Sequence, residues 1–90
     1  MSEAPDIRLR RLRMRSMRRG IKEMDLLLMA YAEHRLPALT AAELDLYEQL
    51  LEENDQDLYA WVSGRDAAPS HLEVLIADVR AVYLRKMSGA

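Results

Sequence analysis

The stretch that decides the fold is residues 40–64, TAAELDLYEQLLEENDQDLYAWVSG. It opens with a capping box, in which the Thr40 hydroxyl accepts from a first-turn amide and Glu43 reaches back to the cap. Leu44, Tyr47, Leu50 and Leu51 then recur at helical spacing and mark one buried stripe. Asn54 starts a second, shorter helix with Leu58, Trp61 and Val62 on its apolar side, and Gly64 stops it. Two helices with their own start and stop signals and almost no loop between them point to a helical bundle.

The pattern extends in both directions. Downstream, Pro69 precedes a second capping-box sequence, Ser70, His71, Leu72 and Glu73. Leu72, Leu75, Ile76, Val79, Val82 and Tyr83 follow on one face. Arg80, Arg85 and Lys86 come late in this helix, where cations complement its dipole. Upstream, Met24, Leu27, Leu28 and Tyr31 fall at i, i+3, i+4 and i+7, giving a helix over 21–34 that ends before Pro37. A first helix over 6–18 is expected to be capped by Asp6. Its apolar residues Ile7, Leu9, Leu12, Met14 and Met17 are less regularly spaced. No period-two alternation or Asn-Gly hairpin signals a strand. The fold class expected is all-α, a compact bundle of five short helices forming one domain over 1–90, with a frayed start over 1–6.

Composition narrows the function. Half of the 90 residues are apolar and 31% are charged, a globular balance. The absence of Cys excludes disulfides, thiolate metal sites and Cys nucleophiles. No apolar run approaches the ~20 residues that span a bilayer, and the basic N-terminus lacks the apolar segment of a secretory signal. His34 and His71 are far apart and lack metal-ligand spacing, so no metal site is expected. There is no GxSxG; Ser63, Ser70 and Ser88 lie by turns or ends, and Ser70 reads as a cap. Three isolated glycines make no phosphate loop. The chain reads as a non-enzyme.

The charge is strongly segregated. Residues 1–22 carry net +6 and residues 23–90 net −8. Seven acids and no Lys or Arg lie within 43–57: Glu43, Asp45, Glu48, Glu52, Glu53, Asp55 and Asp57. These read as a solvated helix face plus caps, with Asp57 placed to bond a free amide at the start of its helix. Seven Arg lie within 8–19. They admit three readings: a solvated face, a surface for nucleic acid or anionic lipid, and a docking face for an acidic protein partner. The pI near 5.6 and the lack of interleaved aromatics weigh against nucleic acid.

Between the first two helices stands RRGIKEMD, residues 18–25. A glycine inside one continuous helix would cost about 1 kcal/mol, so a break is the better reading. Gly20 is then either the left-handed residue ending the first helix or the cap of the second. It is also a point where backbone can be approached closely. Glu23 falls in a first turn, where an acid is favoured. Arg18 and Arg19 stand at the corner, with guanidinium forks free for carboxylate or phosphate.

Arg19, Gly20 and Glu23 resemble the RGxxE motif of the SdhE-type FAD assembly factors of succinate dehydrogenase, also called flavinators. Leu44, Tyr47, Leu50, Leu51, Asp55, Asp57, Leu58 and Trp61 are similar to that family's LL…D.DL..W segment. Together they place the resemblance over about residues 8–84. Lys22 stands where the family suggests an aliphatic residue, and the arginine run is unusually dense. The resemblance implies a five-helix assembly factor that binds the flavoprotein subunit of succinate dehydrogenase, and in bacteria that of fumarate reductase. It promotes covalent attachment of FAD to a histidine of that subunit and holds no cofactor of its own. The resemblance also implies a contact surface of Arg18, Arg19, Gly20, Glu23 and Asp25, with Gly20 approached closest and Arg19 making an ionic contact. Gly20→Arg is expected to fold and to lose function. A bacterial cytoplasmic protein, monomeric when free, is expected. The alternative is a small helical nucleic-acid-binding or regulatory protein that uses its Arg-rich first helix.

Overall fold

The computed structural model describes residues 4–17 and 19–87. Five α-helices run in chain order: α1 Pro5–Arg15, α2 Lys22–His34, α3 Ala41–Leu51, α4 Asp55–Val62 and α5 Glu73–Met87, with a 3-10 turn Leu36–Ala38 after α2. No strand occurs among the described residues.

α2 is the central element, in contact with α1, the 3-10 turn, α4 and α5. Its predicted stripe of Met24, Leu27, Leu28 and Tyr31 is buried, as are Ala30 and Ala32. α5 meets it with Leu75, Ile76, Val79 and Val82, while Leu58 and Val62 of α4 fill the same core. α3 supplies Leu44, Tyr47, Leu50 and Leu51. The Tyr47 ring stacks on Tyr31, with centroids 5.5 Å apart and planes 25° from parallel. α1 buries only Leu12 completely, with Leu9 packed at the edge. Removing a fully enclosed leucine such as Leu28 or Leu50 would cost about 2–5 kcal/mol in lost transfer energy and cavity.

The helix ends are satisfied by chemistry that was partly visible in the sequence. The Thr40 box forms: its Oγ1 accepts from Glu43 N at 3.2 Å, and Thr40 N donates to the Glu43 carboxylate at 2.8 Å. Asn54 caps α4, accepting from Gln56 N at 2.8 Å. Gly64 follows α4 with φ 83°, the left-handed geometry that a helix stop requires.

Several expectations are corrected. α1 starts at Pro5 after Ala4, and Asp6 lies in the first turn with no side-chain cap bond formed. Proline is preorganised for that position. α1 ends at Arg15 rather than residue 18, because Ser16 turns inward and is fully buried. Ser70 and Glu73 form no capping box. A turn over 70–72, closed by Leu72 N donating to Pro69 O at 2.9 Å, delivers the buried Leu72 to the core, and α5 begins after it. Arg80 serves the C-terminus of α4 instead of its own helix, donating to Trp61 O at 2.7 Å and Val62 O at 2.6 Å. Asp57 is exposed and bonds no amide; Asn54 fills that role at the start of α4, and Asp55 turns its carboxylate to the Gly20 amide instead.

Candidate functional site

The corner between α1 and α2 is built from the inside out. Ser16 Oγ donates to Leu12 O at 2.8 Å and shares a 2.6 Å hydrogen bond with the Tyr47 hydroxyl. That pair anchors the end of α1 to the middle of α3. Burial pushes the Tyr47 hydroxyl up to about 12, so it is a neutral hydrogen-bonding group at ordinary pH.

Arg19 is not the free fork expected at the corner. Its Nε donates to Asp55 Oδ1 at 2.7 Å, and its Nη atoms lie 3.3–3.4 Å from the carbonyls of Arg15, Leu51 and Glu53. The first two belong to the last residues of α1 and α3, where helices leave acceptors unpaired, and Glu53 lies just beyond α3. α3 has no basic residue in its own last turn, and Arg19 supplies the missing cation from outside. Only 14% of its side chain is exposed.

Gly20 is exposed, and its amide donates to Asp55 Oδ2 at 2.6 Å. One carboxylate therefore holds both residues of the Arg-Gly pair, one oxygen each. Gly20 does not have a left-handed backbone, which among the described glycines only Gly64 does. A Cβ there would make a tight 3.2 Å contact with Asp55 Oδ2. A side chain at Gly20 would require the Asp55 carboxylate to give way by a few tenths of an ångström.

The remaining predicted residues divide. Asp25 faces the loop, accepting from Arg19 N at 3.0 Å, and is half-buried. Glu23 and Lys22 are exposed in the first turn of α2, with no hydrogen bond or ion pair described for either. Leu26 and Met29, 49% and 40% exposed, continue the outer face of that helix. Arg18 lies outside the described residues. Asp55, which holds the corner together, was read from the sequence as one of a run of acids and as part of the LL…D.DL..W resemblance, but was not placed at the corner.

The arginine run has a partner within the chain. Arg8 bonds Asp45 at 2.6 Å and Glu48 at 3.0 Å, Arg11 lies 3.2 Å from Glu48, Arg15 bonds Glu52 at 3.1 Å, and Arg19 completes the series on Asp55. Most of these pairs are 36–40 residues apart in sequence, so α1 and α3 run parallel in nearly constant register. The Arg11 hydrogen bond, aided by Arg8, holds the Glu48 carboxyl below its usual range. The acidic run is thus not simply a solvated face, and this stripe of arginines is not a free surface for a polyanion. The signal was in the sequence: both charge stripes repeat at three to four residues, the helical period.

Elsewhere, Tyr31 Oη donates to Asp78 Oδ2 at 2.9 Å and Arg35 Nε to the same oxygen at 3.3 Å. Burial and the Asp78 carboxylate both raise the Tyr31 hydroxyl well above its ordinary value. This network borders an open cleft of about 560 Å³ between α2, α3 and α5. Among the described residues no three His, Asp or Glu are grouped to hold a metal ion, and no helix is long and apolar enough to cross a membrane.

The fold and this corner define a small all-α protein with a charge-clasped helix junction. Comparison with known proteins makes the class specific. The family described as "Flavinator of succinate dehydrogenase" matches residues 10–83, and the chain belongs to that family. Its relatives include proteins named "Succinate dehydrogenase assembly factor 2, mitochondrial". The one from Scheffersomyces stipitis is 46% identical over 61 residues, 68% of this chain and 41% of that protein. That from Komagataella phaffii is 43% identical over 60 residues, covering 67% of this chain and 32% of the relative. That from Schizosaccharomyces pombe is 42% identical over 67 residues, covering 74% and 48%. The chain therefore spans about a third to a half of the length of these relatives. The expectation of a bacterial cytoplasmic protein is overturned by the same relatives, whose names assign them to mitochondria and whose sources are fungi.

Proposed function

We propose that this chain binds the flavoprotein subunit of succinate dehydrogenase and promotes covalent attachment of FAD to it. The observation that carries the reading is the family match over 10–83, which includes the whole helix junction. The exposed members of that junction, Gly20, Lys22 and Glu23, form the contact surface, extended along α2 by Leu26 and Met29. The flavin and a histidine of the partner supply the chemistry. The assembly factor favours the subunit conformation in which they align, through its higher affinity for that conformation. FAD is the group transferred to the partner, and the factor keeps none. The flavoprotein subunit of fumarate reductase is a second client of the same surface, and the free factor is a monomer.

The test is co-expression of the flavoprotein subunit with the chain, with Glu23→Ala, or with no factor, followed by in-gel flavin fluorescence of the denatured subunit. Strong fluorescence only with the unaltered chain supports the proposal. Equal fluorescence in all three contradicts it.

A further inference from the structure

We infer that Asp55 is a positioning residue of the motif corner, and that Arg19 acts on the partner through Asp55 rather than by touching it. The inference rests on the proposed flavoprotein-binding role of the corner and assigns its residues to two groups: Arg19, Asp25 and Asp55 shape the surface, while Gly20, Lys22 and Glu23 present it.

The geometry carries this division. Asp55 is the first residue of α4, directly after the Asn54 cap, so its carboxylate stands at a helix N-terminus, where negative charge is favoured. Its two oxygens take the Arg19 Nε–H at 2.7 Å and the Gly20 N–H at 2.6 Å. Charge-assisted bonds of this kind fix direction as well as distance. From the other side, Asp25 accepts the Arg19 N–H at 3.0 Å. The Arg-Gly segment is therefore pinned by carboxylates from α4 and α2 just before Ile21 opens α2. Arg19 also bonds the last carbonyls of α1 and α3 and that of Glu53 just beyond α3, leaving 14% of its side chain to solvent. A guanidinium so committed would have to break several internal hydrogen bonds to reach a partner. Glu23 has no such commitments and stands four residues from Arg19 on the same corner.

The clasp also bears on the glycine. Asp55 Oδ2 would lie 3.2 Å from a Cβ at position 20, a tight contact to which the carboxylate would have to adjust. Arg19, Gly20 and Asp55 thus form one unit, with the aspartate 35 residues downstream of the glycine it serves.

The experiment is a double-mutant cycle of Arg19→Gln and Asp55→Asn, read by covalent flavin on the co-expressed flavoprotein subunit of succinate dehydrogenase. Glu23→Gln is run beside it, and each purified variant is checked by circular dichroism. If Arg19 acts through Asp55, each single variant lowers flavinylation severalfold and the double variant is no worse than the weaker single. In the free protein, Asp55→Asn is expected to shift the Gly20 amide resonance strongly and to speed its hydrogen exchange, while Glu23→Gln leaves both unchanged. Multiplicative losses in the double variant, full flavinylation by Asp55→Asn, or an unmoved Gly20 amide would each overturn the inference. Loss of the proposed function itself is seen separately, as indifference of flavinylation to the presence of the wild-type chain.

Discussion

At the scale of single residues, the junction works because polar groups that enter the interior arrive in pairs. Ser16 and Tyr47 are both fully buried, and among the described residues no buried side-chain polar atom lacks a partner. Tyr47→Phe should destabilise the fold by about 1 kcal/mol, the net worth of one buried hydrogen bond, with Ser16 Oγ still able to donate to Leu12 O. Urea denaturation checks this. Because burial raises the Tyr47 hydroxyl to about 12, its neutral form is favoured in the folded state. Its stabilising contribution is complete below the unfolded value near 10 and declines as pH rises from there toward 12. Thermal melts across that range should show Tm falling more steeply for the parent than for Tyr47→Phe. At position 64 the left-handed backbone, not space, demands glycine, since a Cβ would meet nothing closer than 3.9 Å. Gly64→Ala should therefore cost about 1 kcal/mol of conformational strain, again read by denaturation.

At the scale of elements, α1 is attached to α3 by an ionic ladder and a small apolar contact. The individual exposed pairs contribute a few tenths to about 1 kcal/mol each and are screened by salt. Amide hydrogen exchange in α1 should accelerate with added salt more than exchange in α2 or α5. Glu48 receives both Arg8 and Arg11, and its depressed carboxyl value means that its contribution is present above about 4.5 and is lost as pH falls through the folded value. Glu48→Gln should lower stability modestly at neutral pH and flatten the loss of stability on acidification, as followed by denaturation at stepped pH. The sequence revealed α2, α3 and α4 through stripes such as Met24, Leu27, Leu28 and Tyr31, and through the caps Thr40, Asn54 and Gly64. These signals are local, each involving residues within two turns. α1's limits were not legible. Its last turn is followed by Ser16, which meets a tyrosine 31 residues away, and its Arg8, Arg11 and Arg15 pair with a helix that starts 26 positions after it ends. The same holds for Arg80, whose acceptors lie on another helix.

At the scale of the whole molecule, one stripe of the arginine run, Arg8, Arg11, Arg15 and Arg19, is paired with acids of the same chain and is not free for an external partner. The family was legible from the resemblance of Arg19, Gly20 and Glu23 to its motif, and the family match over 10–83 agrees with it. The division of labour among these residues was not legible. It depends on Asp55, which folding alone brings beside the glycine. The most direct measurement of the central claim is covalent flavin on the succinate dehydrogenase flavoprotein subunit, produced with and without this chain in cells lacking any other such factor. The account predicts a flavin-fluorescent band on a denaturing gel when the chain is present, and severalfold loss of it with Glu23→Ala. A band of equal intensity with the chain, with the variant and with neither would contradict it.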